Sequence, residues 1–371
     1  MPSKQTERSV VPAFEYVFPA IRGIQAGREY YVSMCPLRLL PKIFLFDEEE
    51  LVPELRAQRV LSKGRIPGLA RYILDNVNSY VFSAITASVD AHVKFEPISP
   101  GADSQRIGML HIPMDARFII NDGQHRRAAI EIALRERPEL ADESIAVVFF
   151  LDIGLERCQQ MFADLNRYAI RPAKSLGVLY DQRDDFAKLT RMVVFGSPVF
   201  RDVVEMERST LSLRSRKLFT LSAIYTGTGA LLQHVESAPL DNLVKRATSF
   251  WEATAKQFPE WQLVRERKMT AGDVRRDFIH SHGIALQALG RAGSVMLRNG
   301  GNWKTRLKRL QRLDWSRSNA KLWEGRAMIG GKVSKSTHNV ILTTNVIKNH
   351  LGLSLSADEQ RVEDAFRRGD S

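Results

Sequence analysis

Cysteine is almost missing from this chain. Cys35 and Cys158 lie far apart, and no Cys-x-x-Cys pair exists. That excludes a disulfide framework and a cysteine-rich zinc site, and it points to a reducing interior. Long apolar runs are missing too. The longest, residues 145–151, has the length of a strand, and none reaches the roughly 18 residues of a membrane span. Residues 1–10 lack the hydrophobic core of a signal peptide, so the expected location is the cytoplasm. There is no internal repeat, no low-complexity linker, no Gly-x-Ser-x-Gly and no His-Glu-x-x-His. Gly330-Gly331-Lys332-Val333-Ser334 lacks the spacing of a Walker motif. Asp277, His280 and His282 make one histidine-rich cluster, but the i, i+2 spacing points the two histidines to different faces of a helix. No metal site is expected there.

What remains is a globular composition: 371 residues, 44% hydrophobic and 26% charged, with a formal charge of +12. At about 150 residues per domain, the length suggests two domains or one large one with an extension. The charge is uneven. Residues 291–350 hold thirteen Lys and Arg against only Asp314 and Glu324, a local net charge of 13 − 2 = +11. Such a stretch is either a solvated basic surface or the electrostatic footprint of a polyanion binder, and the one-sided imbalance favours nucleic acid. Read as a helix, residues 302–313 place Trp303, Leu307, Leu310 and Leu313 within one arc. Lys304, Lys308, Arg309 and Arg312 fall opposite, free to meet DNA phosphates.

The first half alternates strands and helices. Strands are expected at residues 14–21, 28–34, 41–46, 80–89, 107–112, 118–120 and 145–151. Helices are expected at 47–63, 66–77, 123–136 and 154–167. After about residue 180 the pattern turns helical: 185–194, 211–226, 241–257, 277–289, 303–313 and 337–350, the last with Ser336 as N-cap and Gly352 as its stop. The fold class is therefore mixed α/β, with an α/β domain over residues 1–180 and a mainly helical, basic domain over 181–371.

One motif is sharp. Phe118-Ile119-Ile120 ends a strand, Asp122-Gly123 turns the chain, and a helix starts at once with Gln124, His125, Arg126 and Arg127 in its first turn. Cations there oppose the helix dipole by about 0.3–1 kcal/mol each. Such a break in a local rule points to a bound anion, with phosphate the natural candidate. The alternative is that the arginines reach carboxylates such as Glu131. Asp164, Asn166 and Arg167, near a turn, are candidates to complete a nucleotide pocket or else form a capping cluster. Arg22 and Arg65 are weaker phosphate candidates. Cys35 beside Arg38 is either a buried structural thiol or a redox or DNA-contacting one.

Asp122-Gly123-Gln124-His125-Arg126 is the motif after which the DGQHR-domain proteins are called, a group that resembles the ParB and sulfiredoxin superfamily. The flanking blocks resemble the DndB family of DNA sulfur-modification proteins: Phe18-Pro19-Ala20-Ile21-Arg22-Gly23, Cys35-Pro36-Leu37-Arg38, Arg56-Ala57-Gln58-Arg59, Arg65-Ile66-Pro67, Phe162-Ala163-Asp164-Leu165-Asn166-Arg167 and Arg171-Pro172-Ala173-Lys174. The resemblance covers about residues 14–190 strongly and the rest loosely. It implies a ParB/sulfiredoxin-like N-terminal domain and a DNA-binding repressor of the phosphorothioate-modification gene cluster. It also implies nucleotide control by ATP or CTP with Mg2+ at Asp122, Gly123, Gln124, His125, Arg126, Arg127 and Asn166. Expected partners are double-stranded promoter DNA and other DNA sulfur-modification proteins. A homo-oligomer associated with the bacterial nucleoid is the expected state. The alternatives are a ParB-like nucleotide hydrolase or nuclease acting on DNA directly, and a subunit of the modification complex.

Overall fold

The computed structural model describes residues 14–44, 63–99, 101, 104–155, 157–167, 172–235 and 238–369. The chain forms two compact units, Met1–Ile170 and Arg171–Ser371.

The first unit is built on a seven-stranded sheet: β1 (Glu15–Gln25), β2 (Arg28–Pro36), β3 (Ile85–Asp90), β4 (Lys94–Pro97), β5 (Ile107–Pro113), β6 (Arg117–Asp122) and β7 (Ser144–Leu151). Their order is β4-β5-β1-β2-β7-β3-β6. Only β3 and β7 run parallel. The strands alternate as a half-buried sheet requires. In β7, Ile145, Val147 and Phe149 are buried, and in β2 Tyr31, Ser33 and Cys35 face the same way, with Tyr31 opposite Phe149 and Cys35 opposite Ile145. The helices Ile66–Asp75 and Gln124–Glu136 pack on each other over this core. On β6, Ile119 meets Cys158 and Met161 of the helix Cys158–Arg167.

Two expectations need correction in this unit. The strand expected at 41–46 does not form over its described part, residues 41–44: Leu40–Ile43 is a helical turn. Pro41 cannot donate to a ladder and presets a helical φ, and Leu40 and Ile43 are both buried at the i, i+3 spacing of a helix. The strand expected at 80–89 starts only at Ile85, because Tyr72 Oη accepts from the Val81 N–H at 2.9 Å and holds that segment outside the ladder. Strand β4, with Phe95 between charged residues, was not anticipated. The helix expected at 47–63 lies almost wholly outside the described residues.

The second unit is helical around its own core. The helices Leu221–Leu232 and Gly283–Asn299 pack at its centre. A Cβ on Gly290 would lie 2.1 Å from the Gly227 carbonyl, so that crossing requires glycine. The helix expected at 211–226 begins only at Leu221, with Thr220 as N-cap. The segment before it gives its carbonyls to a buried guanidinium: Arg275 donates to Ser212 O at 2.6 Å and Ser215 O at 3.3 Å. Of the helix expected at 277–289, only the part from Gly283 onward forms as one helix. Ala271–Asp277 ends, residues 278–282 are non-helical, and Gly283–Asn299 follows. The Ile279 N–H donates to Trp315 O at 2.9 Å instead of closing a helical turn. At 337–350 the helix Thr337–Leu351 forms, with the Ser336 hydroxyl accepting from the Asn339 N–H and Gly352 in the left-handed region at φ 67°.

Candidate functional site

The Asp122–Arg127 turn sits where β6, last in the sheet order, passes directly into the helix Gln124–Glu136. Gly123 makes this possible with φ 111°, and a Cβ there would lie 3.0 Å from Ile85 and 3.1 Å from the Arg126 guanidinium. The helix start has no side-chain cap and no acidic residue in its first turn. Gln124 turns inward, its amide donating to Ile120 O at 3.0 Å. Arg126 donates through Nη2 to Asp122 Oδ2 at 2.5 Å and through Nη1 to Ser83. Arg127 pairs with Glu131 at 2.6 Å and reaches Pro41 O at 3.4 Å. The Nε atoms of both arginines are buried without a hydrogen-bond partner. Burial and then the nearby Arg65 charge hold His125 below the usual histidine range, against the opposing pull of Asp122. An uncapped helix start beside a donor with no partner fits one phosphate oxyanion, while the arginine forks are already engaged by protein.

The remaining sequence candidates scatter. Asp164 accepts from Gln160 at 2.8 Å on the helix Cys158–Arg167. Asn166 lies on that helix, and its side chain is outside what is described. Arg22 is on β1, stacked over Phe95 at 5.3 Å and bonded to Gln105 O at 3.2 Å. Cys35 is fully buried, and burial pushes its thiol up to about 12, which keeps it protonated. The N–H groups of Gly330 and Gly331 donate to the Glu324 carboxylate. Trp261 donates to His280 Nδ1 at 3.0 Å, and His282 Nε2 lies 2.8 Å from Arg275 O.

In the second unit the basic segment is not one α-helix. The helix Trp303–Leu307 tightens into a 3-10 helix, Lys308–Arg312. The reason lies in the spacing. Leu307, Leu310 and Leu313 recur every third residue, which matches three residues per turn and buries all three. Lys304, Lys308, Arg309 and Arg312 are all exposed. Arg309 is partly committed: it donates to Leu351 O at 3.2 Å, at the end of the helix Thr337–Leu351, and Arg306 donates to Gly352 O at 3.4 Å. Lys304 lies 5.5 Å from its neighbour Trp303's ring centroid. Among the described residues no carboxylate pairs with Lys304, Lys308 or Arg312.

These features define a mixed α/β protein whose Asp-Gly-Gln-His-Arg turn joins the last strand of a sheet to a helix, continued by a helical unit with an exposed cationic edge. The chain belongs to the DndB family, described as DNA-sulfur modification-associated, and the match covers residues 18–354. No curated protein and no solved structure matches it. No helix among the described residues is long and apolar enough to cross a membrane.

Proposed function

We propose that this protein is a DNA-binding repressor of the gene cluster for DNA phosphorothioate modification. The family supplies the link to DNA sulfur modification. The observation that carries DNA contact is the cationic edge. Lys304, Lys308 and Arg312 are exposed without acidic partners, on a segment anchored by three buried leucines. Cations on an ordered scaffold displace counterions from DNA phosphates, and affinity then falls steeply with salt. Titrations with a promoter duplex and a scrambled duplex across a range of salt test the reading. Replacing Lys304, Lys308 and Arg312 together by Gln reduces the slope of log K against log salt by about two to three. An unchanged slope removes this edge from the DNA interface. Equal affinity for both duplexes removes the repressor role.

The regulation belongs to the turn. ATP or CTP, with its Mg2+, would place a phosphate at the start of the helix Gln124–Glu136, held by the backbone of Gly123–Arg126 and by Arg126 Nε. Partner modification proteins and self-association are further parts of the same reading.

A further inference from the structure

The helical unit holds a second group of cations, scattered in sequence and gathered in space. A cavity of about 430 Å3 opens beside the starts of the helices Leu221–Leu232 and Gly283–Asn299. Lys174, Arg275, Arg317 and Lys335 line it, and no aspartate or glutamate does. Small-ligand sites have volumes of about 300–1,000 Å3.

Among the described residues none of the four has a carboxylate partner. Arg275 is buried and bonded to the backbone carbonyls of Ser212, Leu213, Ser215 and Lys217. Arg317 donates to Gly331 O at 2.8 Å and Arg275 O at 3.3 Å. Lys174 Nζ reaches the Thr226 hydroxyl at 3.4 Å. Lys335 is an exposed residue, yet surrounding protein atoms and then the Lys174 charge hold its ammonium below the usual lysine range. The same unit treats other shielded cations differently. Arg326 pairs with Glu363 at 2.7 Å and Lys348 with Glu359 at 2.6 Å. Arg275 is taken out of water, where charges are normally paired, and three more cations stand around the same space with no acid among its lining residues, which leaves a place for an anion.

Two further observations point into the same space. Ser281 lines the cavity at 4% exposure, and its buried hydroxyl has no hydrogen-bond partner. The 17-residue helix Gly283–Asn299 starts there without a side-chain cap. Lys335 Nζ lies 3.6 Å from where a Cβ on Gly283 would stand. The helix dipole repels that ammonium, and an oxyanion between them reverses the sign of both contacts.

We propose that this cavity binds a phosphate group, free or carried by a mononucleotide. The cavity is lined by none of the residues of the Asp122–Arg127 turn or the Lys304–Arg312 edge, so it goes beyond the function proposed above. The test uses the full chain, with sodium phosphate and AMP each titrated against sodium chloride at matched ionic strength, by calorimetry and thermal shift. At least one phosphate-bearing probe binds and raises Tm by linkage. Response to both assigns the site to the phosphate alone, and response to AMP only assigns it to the ester. Ser281→Ala deletes a hydroxyl that has no protein partner, and Lys335→Gln and Lys174→Gln change exposed side chains, so all three should keep the ligand-free Tm. Each weakens binding about tenfold, the loss of one charge-assisted hydrogen bond. Arg126→Ala binds the probes as the wild type does. The proposal falls if neither probe outperforms chloride, if the three cavity variants bind like the wild type, or if Arg126→Ala abolishes binding.

Discussion

Arg126 links β6 to the helix it precedes: its two Nη groups go to Asp122 and Ser83, and its Nε is buried without a partner. The i, i+4 spacing in the sequence makes Glu131 legible as a partner for Arg127, and the two meet at 2.6 Å. The spacing says nothing of Ser83, which lies just before β3 and 43 residues away in sequence. The effect of Arg126→Ala on stability is small by two opposing counts. It removes a cation that the helix dipole disfavours by about 0.3–1 kcal/mol. It also breaks an ion pair whose arginine side is 17% exposed and whose aspartate side is 49% exposed, and the bond to Ser83, each worth about 1 kcal/mol. If the turn holds a nucleotide phosphate, the variant loses the thermal stabilisation that ATP or CTP gives the wild type, while its ligand-free Tm stays within a few degrees of wild type. A wild type that neither nucleotide stabilises ends the nucleotide reading, whatever the variant does.

At the scale of elements, what the sequence reveals and what it hides follow one physical rule. The helix Thr337–Leu351 is legible because its signals are local: Ser336 caps it and Gly352 stops it. The buried alternation of β7 is legible for the same reason. Misreadings fall where a side chain or carbonyl from far along the chain takes over the backbone, as Trp315 O does for Ile279 and Arg275 does for the segment before Leu221. The phosphate cavity belongs with these, since Lys174, Arg275, Arg317 and Lys335 share no motif. The break at residues 278–282 carries a consequence for pH. His280 and His282 lie in it, and burial lowers both, His282 to about 4, where the charges of Arg317 and Arg275 add to the effect. The unfolded chain takes a proton near 6.5, so it binds more protons than the fold between 6.5 and 4. Stability is therefore complete above that window and falls as pH drops through it. By the 1.36 kcal/mol of each pKa unit, His282 alone costs about 2 kcal/mol at pH 5. Urea unfolding at pH 7.5 and pH 5 measures the loss, and His282→Gln, which takes no proton, should remove about that part of it. A variant with the full wild-type pH dependence would rule out His282 as the source.

At the scale of the whole molecule, the two large hydrophobic clusters among the described residues each draw on one unit. One runs from Phe18 to Phe149 around the sheet, and the other from Val178 to Leu353 among the helices. All five tryptophans, Trp251, Trp261, Trp303, Trp315 and Trp323, belong to the helical unit. Tryptophan emission therefore reports on that unit alone, while far-UV circular dichroism reports on both. Separate cores predict separate responses to a core defect. Leu110 is wholly buried in the sheet's core. Leu110→Ala leaves a cavity and costs about 2–5 kcal/mol, a large share of the roughly 5–15 kcal/mol that holds a domain folded. The expected outcome is a lower denaturant midpoint in the part of the circular-dichroism signal that comes from the sheet, with the tryptophan midpoint unchanged. The two probes then separate, which is the signature of more than one cooperative unit. If the tryptophan transition moves down by the same amount, the two units unfold as one and the cores are energetically joined. In that case a ligand at the Asp122 turn and DNA on the Lys304–Arg312 edge would report on a single folding equilibrium, and each would stabilise the chain against the same transition.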